Sequence, residues 1–263
     1  MNLKSLPSEF ENLTWPDVKN ISKDKRSTIL WPFGAVEQHG PQLPLATDSI
    51  FIDEIVREVM KIIPNEIPLK KLPTQYIGFS PEHKGFDGTI SLSSNIITSI
   101  IKEVGIQISE MGFKRLILLN AHGGQISLLN TAARELKSVM PSLSIFPCFL
   151  WSGVDGLSEL LSKEELKNGL HASLAETSLM MALKPELVGD ERPFDGIFED
   201  IPKGWSLEGH APTAWITKEL SKSGVIGDSR GSNIELGNDL KNLLVKHWYN
   251  MIINLMESDW PNK

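Results

Sequence analysis

Apolar positions in this chain fall into two alternating patterns. STILWPFGA (27–35) is a short apolar run ending in a Pro/Gly loop, as a buried strand does. From Asp48, DSIFIDEIVREVMKII places Ile50, Ile52, Ile55, Val56, Val59 and Ile63 at helical spacing, with Asp48 where an N-cap stands. IPLKKLPTQYIG (67–78) is a second strand candidate, followed over 78–90 by a polar loop that carries His83. SLSSNIITSIIKEVGIQISEMG (91–112) returns to helical periodicity and stops at Gly112, a C-cap residue. FKRLILLN (113–120) reads as a buried strand, ISLLNTAARELKSVM (126–140) as an amphipathic helix and LSIFPCFLW (143–151) as a fourth strand. ASLAETSLMMAL (172–183) is helical and its end is marked by Pro185. Residues 185–231 are rich in Gly, Pro and Asp, and a helix from about Asn233 to Met256 closes the chain.

Strands alternating with helices imply βαβ units with right-handed crossovers, hence an α/β fold with a mostly parallel sheet covered on both faces. In such sheets the working groups gather in loops at the carboxyl ends of strands. The chain obeys that rule. Glu37 and His39 follow the first strand, His83 the second, His122 the third and Trp151 the fourth. Of the six histidines, His39, His83, His122 and His171 lie in or beside strand-to-helix loops or at a helix start.

The stretch GAVEQHGPQLPLATD (34–48) holds only three titratable side chains, Glu37, His39 and Asp48. In extended chain, residues i and i+2 project to the same side, so Glu37 and His39 can face one point. Asp48 can return to that point after the Gly40–Pro41 turn. Taken singly, these are a loop carboxylate, a turn histidine and an N-cap. Together they make an oxygen and nitrogen donor set suited to Zn²⁺, Mn²⁺ or Fe²⁺. NAHGGQ (120–125) adds His122, and its double glycine matches neither GxGxxG nor the Walker pattern. Glu176 follows His171 by five residues, about 500° of helical rotation, so the two border one pocket only if His171 stands at the helix N-terminus. Glu176 is flanked by Ala172, Leu174, Ala175, Leu179 and Met180, where a carboxylate is costly unless a cation pairs with it. The alternatives are a buried polar residue or a subunit contact.

Composition narrows the function classes. The chain has 263 residues, 41% hydrophobic and 22% charged, with no linker, charge block or repeat, so residues 1–263 are expected to form a single domain. A net charge of −7 excludes the basic patch that nucleic acid or an anionic membrane requires. One cysteine, Cys148, excludes an internal disulfide and fits a reducing compartment; inside IFPCFLW its thiol should stay neutral and unreactive. The segment MNLKSLPSEFENLTW has charges and a proline where a signal peptide has an apolar core, and no apolar run approaches about 20 residues. A cytoplasmic location is expected.

Several blocks resemble motifs of the creatininase (creatinine amidohydrolase) family. PFGAVEQHGPQLPLATD (32–48) is similar to its first motif, LNAHGGQ (119–125) to its Asn-Gly-His-Gly-Gly-Asn motif, and HASLAETSLMMALKPELV (171–188) to its His-Ala-Gly…Glu-Thr-Ser motif. FDGTISLS (86–93) and SGVIGDSR (223–230) resemble two weaker ones. The blocks keep family order from residue 31 to about 231. The resemblance implies a three-layer α/β/α fold, a homo-oligomer (often a hexamer in this family) and a centre of two divalent metal ions, Zn, Mn or Fe. That centre would cleave a linear or cyclic amide C–N bond of a small molecule. Carried over by motif, Glu37, Asp48 and His122 would hold one metal, and His39 with the bridging Asp48 the other.

Departures from the pattern matter. Gly124 stands where creatininases carry the glutamate that completes the second site, which leaves Glu176 as the replacement ligand or a general base. Gln42 replaces a histidine and Gln125 an asparagine, which argues against creatinine as substrate. His171 is the candidate to stabilise the tetrahedral intermediate or protonate the departing nitrogen. Gln42, His83 and Trp151 are candidate pocket residues. Rival readings are a deformylase or small-peptide hydrolase of the same family, and a non-catalytic metal-binding protein.

Overall fold

A computed structural model describes residues 6–197 and 201–260. Residues 1–5 of the N-terminal stretch, 198–200 of the Gly/Pro/Asp-rich stretch and 261–263 lie outside the described residues. In chain order the elements begin α1 (Trp15–Ile21), β1 (Thr28–Phe33), α2 (Thr47–Ile62), β2 (Leu69–Lys71), α3 (Ser94–Glu110), β3 (Arg115–Asn120), α4 (Ile126–Val139) and β4 (Ser144–Phe149). They continue as α5 (Leu157–Leu160), α6 (Lys163–Asn168), α7 (Leu174–Leu183), β5 (Phe194–Asp195), α8 (Thr217–Leu220), β6 (Gly227–Asp228) and α9 (Ile234–Glu257).

The central sheet runs β2-β1-β3-β4 and every pairing is parallel. The central strands β1 and β3 are buried along their whole length because helices cover both faces of the sheet. Ile29, Trp31, Phe33, Leu116 and Leu118 point into one core with Ile97 and Ile101 of α3 and Leu129 and Leu136 of α4. The alternate residues Leu30, Ile117 and Leu119 point into a second core with Phe51 and Ile55 of α2, Leu179 of α7 and Leu244 and Trp248 of α9. This is the expected α/β/α sandwich. No helix among the described residues is long and apolar enough to cross a membrane.

Three local readings are corrected. The strand expected over 67–78 forms a regular ladder only over Leu69–Lys71, because Pro73 has no N–H to donate; beyond it the Leu72 N–H still reaches the Leu30 carbonyl, and Gln75 bridges Phe33 through the Pro32 carbonyl and the Gly34 N–H. Asp48 is no N-cap: α2 starts one residue earlier, at Thr47, and Asp48 turns its carboxylate inward from the first turn. The helix expected from Ser91 starts at Ser94, with the Ser93 hydroxyl accepting from the Ile96 N–H. Within the Gly/Pro/Asp-rich stretch 185–231 lie α8 and the antiparallel β5–β6 pair. The short helix α1 was also unforeseen, although Asp17 accepts the Thr14 N–H at its start and Pro16 sits in its first turn.

Candidate metal centre

Beyond β1 the chain stays extended, and the Ile90 N–H bonds the Val36 carbonyl to hold it beside the 86–93 segment. Gly40 then adopts φ +65°, a left-handed turn that suits glycine, and the Glu37 N–H reaches the Leu45 carbonyl at 2.8 Å. The loop thus closes on itself and delivers Asp48 back to Glu37 and His39. All three are buried.

His122 arrives from the end of β3. Asn120 clamps it, its amide donating to the His122 carbonyl at 2.7 Å and its oxygen accepting the His122 N–H at 2.9 Å. Gln125 donates to that same Asn120 oxygen and to the Gly34 carbonyl, and accepts the Phe79 N–H. This glutamine therefore ties together the loops that follow three neighbouring strands.

The side chains converge. Asp48 splits its two oxygens, Oδ1 standing 3.6 Å from His39 Nε2 and Oδ2 3.4 Å from His122 Nδ1. Glu37 Oε1 lies 3.1 Å from His122 Nδ1, 3.2 Å from His83 Nε2 and 4.0 Å from His171 Nδ1. Glu176 has an oxygen within 4.8 Å of ligand nitrogens of both His39 and His171. His171 lies just before the N-terminus of α7, as sharing a pocket with Glu176 requires. Ala172, at φ +52°, turns its N–H onto Glu176 Oε2 at 2.6 Å. The Ala172 carbonyl in turn accepts the Gln42 amide at 2.8 Å.

The donor set fits a hard or borderline divalent cation. Both oxygens of Glu37, Asp48 Oδ2 and His39 Nε2 are buried without a hydrogen-bond partner, and Glu37 Oε1, Asp48 Oδ2 and His39 Nε2 stand at ion-pair distances from neighbouring histidine or aspartate groups instead. Such orphaned atoms are expensive unless a cation meets them. No thiolate competes: Cys148 lies on β4 with its thiol pushed up to about 11 by burial.

Protonated imidazoles otherwise balance these carboxylates. Burial opposes ionisation of Glu37, yet His122 and His83 hold its carboxyl well below the usual range. Burial likewise works against the cationic forms of His39 and His122. Asp48 first, then Glu176 and Glu37, push His39 up to about 9, and Glu37 with Asp48 holds His122 well above the usual value. Burial pushes Glu176 up to about 7 despite His39 beside it. His171 is held well below the usual value by burial and by the neighbouring His83 and His39, so it is neutral at pH 7. Its Nε2 stands 2.7 Å from the Gln38 carbonyl, which assigns the proton to that nitrogen and leaves the Nδ1 lone pair toward Glu37.

A cavity of about 420 Å³ opens onto this cluster, and Trp151 and Trp215 form part of its wall. The Trp151 indole N–H has no partner. His83 reaches the cavity but is held from behind, its Nδ1 lying 2.8 Å from the Gln38 amide and 3.0 Å from the Thr217 hydroxyl. Gln42, expected in the pocket, does not line it; the side chain is buried behind Ala172, where its amide is needed as a donor. One residue at the cluster was not anticipated: Glu82 Oε1 lies 3.1 Å from His122 Nε2. In the sequence it is one carboxylate of a polar loop, and only its adjacency to His83 could have drawn notice.

The fold agrees with what the chain is similar to. A family profile described as Creatininase, creatinine amidohydrolase, matches residues 11–252. A mycofactocin precursor peptide peptidase from Mycobacterium tuberculosis is 28% identical over 204 residues, 75% of this chain and 70% of that protein. A creatinine amidohydrolase from Pseudomonas putida is 25% identical over 197 residues, 70% of this chain and 74% of that protein. A solved structure titled Creatininase Mn superposes with a TM-score of 0.76 at 20% identity, covering 96% of this chain and all (100%) of the other. The chain belongs to the creatininase family of hydrolases.

Proposed function

We propose that this chain is a metal-dependent amidohydrolase that adds water across the C–N bond of a small amide. The observation that carries the reading is Asp48, which lines the cavity and whose two oxygens face two different histidines, His39 and His122. Glu37, Asp48 and His122 would hold one divalent ion, and His39, Asp48 and Glu176 a second. Ions of this kind, Zn, Mn or Fe, lower the pKa of water and polarise a carbonyl. The chain's own residues complete the chemistry. His171, neutral and with Nδ1 free, accepts the proton of the attacking water and returns it to the nitrogen that departs as the C–N bond breaks. Gln38 fixes its tautomer from behind. The unpartnered Trp151 indole is a donor for a substrate oxygen.

A linear substrate, a small peptide or formamide, is the second reading. It is supported by the higher identity to the precursor-peptide peptidase than to the creatinine amidohydrolase. We further infer one domain over residues 1–263, a homo-oligomer and a cytoplasmic setting without nucleic-acid or membrane partners. Light scattering tests the oligomer.

The central test is chelation followed by a panel of cyclic amides, formamides and short peptides. Chelated protein is expected to lose turnover and regain it with Mn²⁺ or Zn²⁺. Glu37→Gln is expected to lower kcat/KM by at least about 100-fold and to cost one bound ion per chain. Full activity after chelation, or two ions bound by Glu37→Gln, would contradict the proposal.

A further inference from the structure

Two adjacent glycines, Gly123 and Gly124, follow His122, and the backbone explains neither, since neither has a positive φ. A Cβ at Gly123 would meet nothing within 4 Å. A Cβ at Gly124 would overlap Glu82 Oε1 and stand 2.6 Å from Glu82 Cδ and 2.7 Å from His122 Nε2. The space beside His122 is therefore filled by a side chain from another loop, the turn Pro81–His83 between β2 and α3. The Glu82 side chain is 12% exposed there, so its carboxylate is mostly removed from water and held against the imidazole.

The His122 ring has two distinct ends. Nδ1 faces Glu37 and Asp48, and Nε2 faces Glu82 Oε1 and the Phe79 carbonyl, each at 3.1 Å. If Nδ1 is to offer a lone pair to a cation, Nε2 must carry the proton and needs an acceptor. A carboxylate there does more than a carbonyl, because its charge also strengthens Nδ1 as a donor. We propose that Glu82 is a positioning residue for the metal-facing His122, and that position 124 is glycine in order to admit it. The inference rests on the metal-dependent reading above.

Calorimetric titration of the purified full chain with Mn²⁺ alone tests it. Glu82→Gln keeps the shape and removes the charge; it is expected to weaken Mn²⁺ binding about 10–100-fold. The melting temperature of the chelated protein should stay within about 2 °C, which a purely structural role would not permit. Gly124→Ala should weaken binding in the same range by displacing the carboxylate. The double variant should lose no more than the weaker-binding single one, since both remove one interaction. Wild-type affinity in Glu82→Gln overturns the positioning role, with Phe79 then sufficient as acceptor. Unchanged binding in Gly124→Ala, or losses that multiply in the double variant, overturns the steric link. If the wild-type chain itself takes up neither Mn²⁺ nor Zn²⁺, the metal-dependent reading fails and this inference with it.

Discussion

At the scale of single residues, Gln42 shows how a substitution can act at a distance. In the sequence it replaces a histidine in a motif that faces the site, so a pocket role is the natural expectation. In the structure its amide donates to the carbonyl of Ala172, whose left-handed backbone turns the N–H of the same residue onto Glu176. An alanine there normally pays for φ +52°, and a buried donor to its carbonyl helps hold that conformation. Gln42→Ala would leave the carbonyl without that amide, its remaining acceptance being the long 3.3 Å bond from the Thr177 hydroxyl. The expected loss is about 1–3 kcal/mol, a melting-temperature drop of roughly 3–10 °C by calorimetry. Because Gln42 acts through Glu176 and not on substrate, kcat should fall while KM stays within about twofold. A raised KM at unchanged kcat would return Gln42 to the pocket. Glu37, His39 and Asp48 were legible because three titratable groups stand out in a segment of small and apolar residues. Glu82 was not, since its partner Gly124 lies over forty residues away and the signal is an absent side chain.

At the scale of elements, length decided what could be read. The long helices α2, α3, α4 and α9 announce themselves by periodicity, and β1, β3 and β4 by unbroken apolar runs. Strands of two residues have no period, so β5 and β6 were invisible among the glycines and prolines of 185–231. What fixes that region is Asp195. Its Oδ2 accepts from the Ser221 hydroxyl, the Lys222 N–H and both the N–H and hydroxyl of Ser223, all at 2.9–3.0 Å. Its Oδ1 accepts the Gly196 N–H. Burial alone would raise this carboxyl, but these donors bring it down to about 2 from 3.8. A carboxyl lowered on folding contributes stability above its unfolded pKa, and that contribution is lost as pH falls through the folded value. The latch should therefore hold above about pH 4 and fail between about pH 4 and pH 2. The segment matters for the site because the Gly224 carbonyl accepts the Gln38 amide and Ile226 pairs with His171. Asp195→Asn should cost about 1–2 kcal/mol at pH 7 and flatten the stability loss between pH 4 and 2. Melts across that range check it; a variant with the wild-type pH slope would show that Asp195 is not the titrating latch.

At the scale of the whole molecule, the parallel sheet explains why residues from 37 to 176 meet at all. Each strand end points the same way, so Glu37, His122 and the loops behind them are gathered at one edge by topology before any side chain interacts. That alternation was visible in the sequence; the distances, and the division of Asp48 between two histidines, required the folded chain. The carboxylates Glu37, Asp48 and Glu176 belong to neither of the two apolar cores, which are built from other residues. Metal removal should accordingly weaken the molecule without unfolding it. A cation at about 100 times its Kd stabilises by about 2.7 kcal/mol, so chelation should lower the melting temperature by roughly 5–10 °C. The melt should remain cooperative and the far-ultraviolet circular dichroism unchanged at 25 °C, while turnover disappears. A structural metal behaves otherwise: fold and activity would be lost together on chelation, and the non-catalytic reading would then account for the cluster better than a hydrolytic centre does.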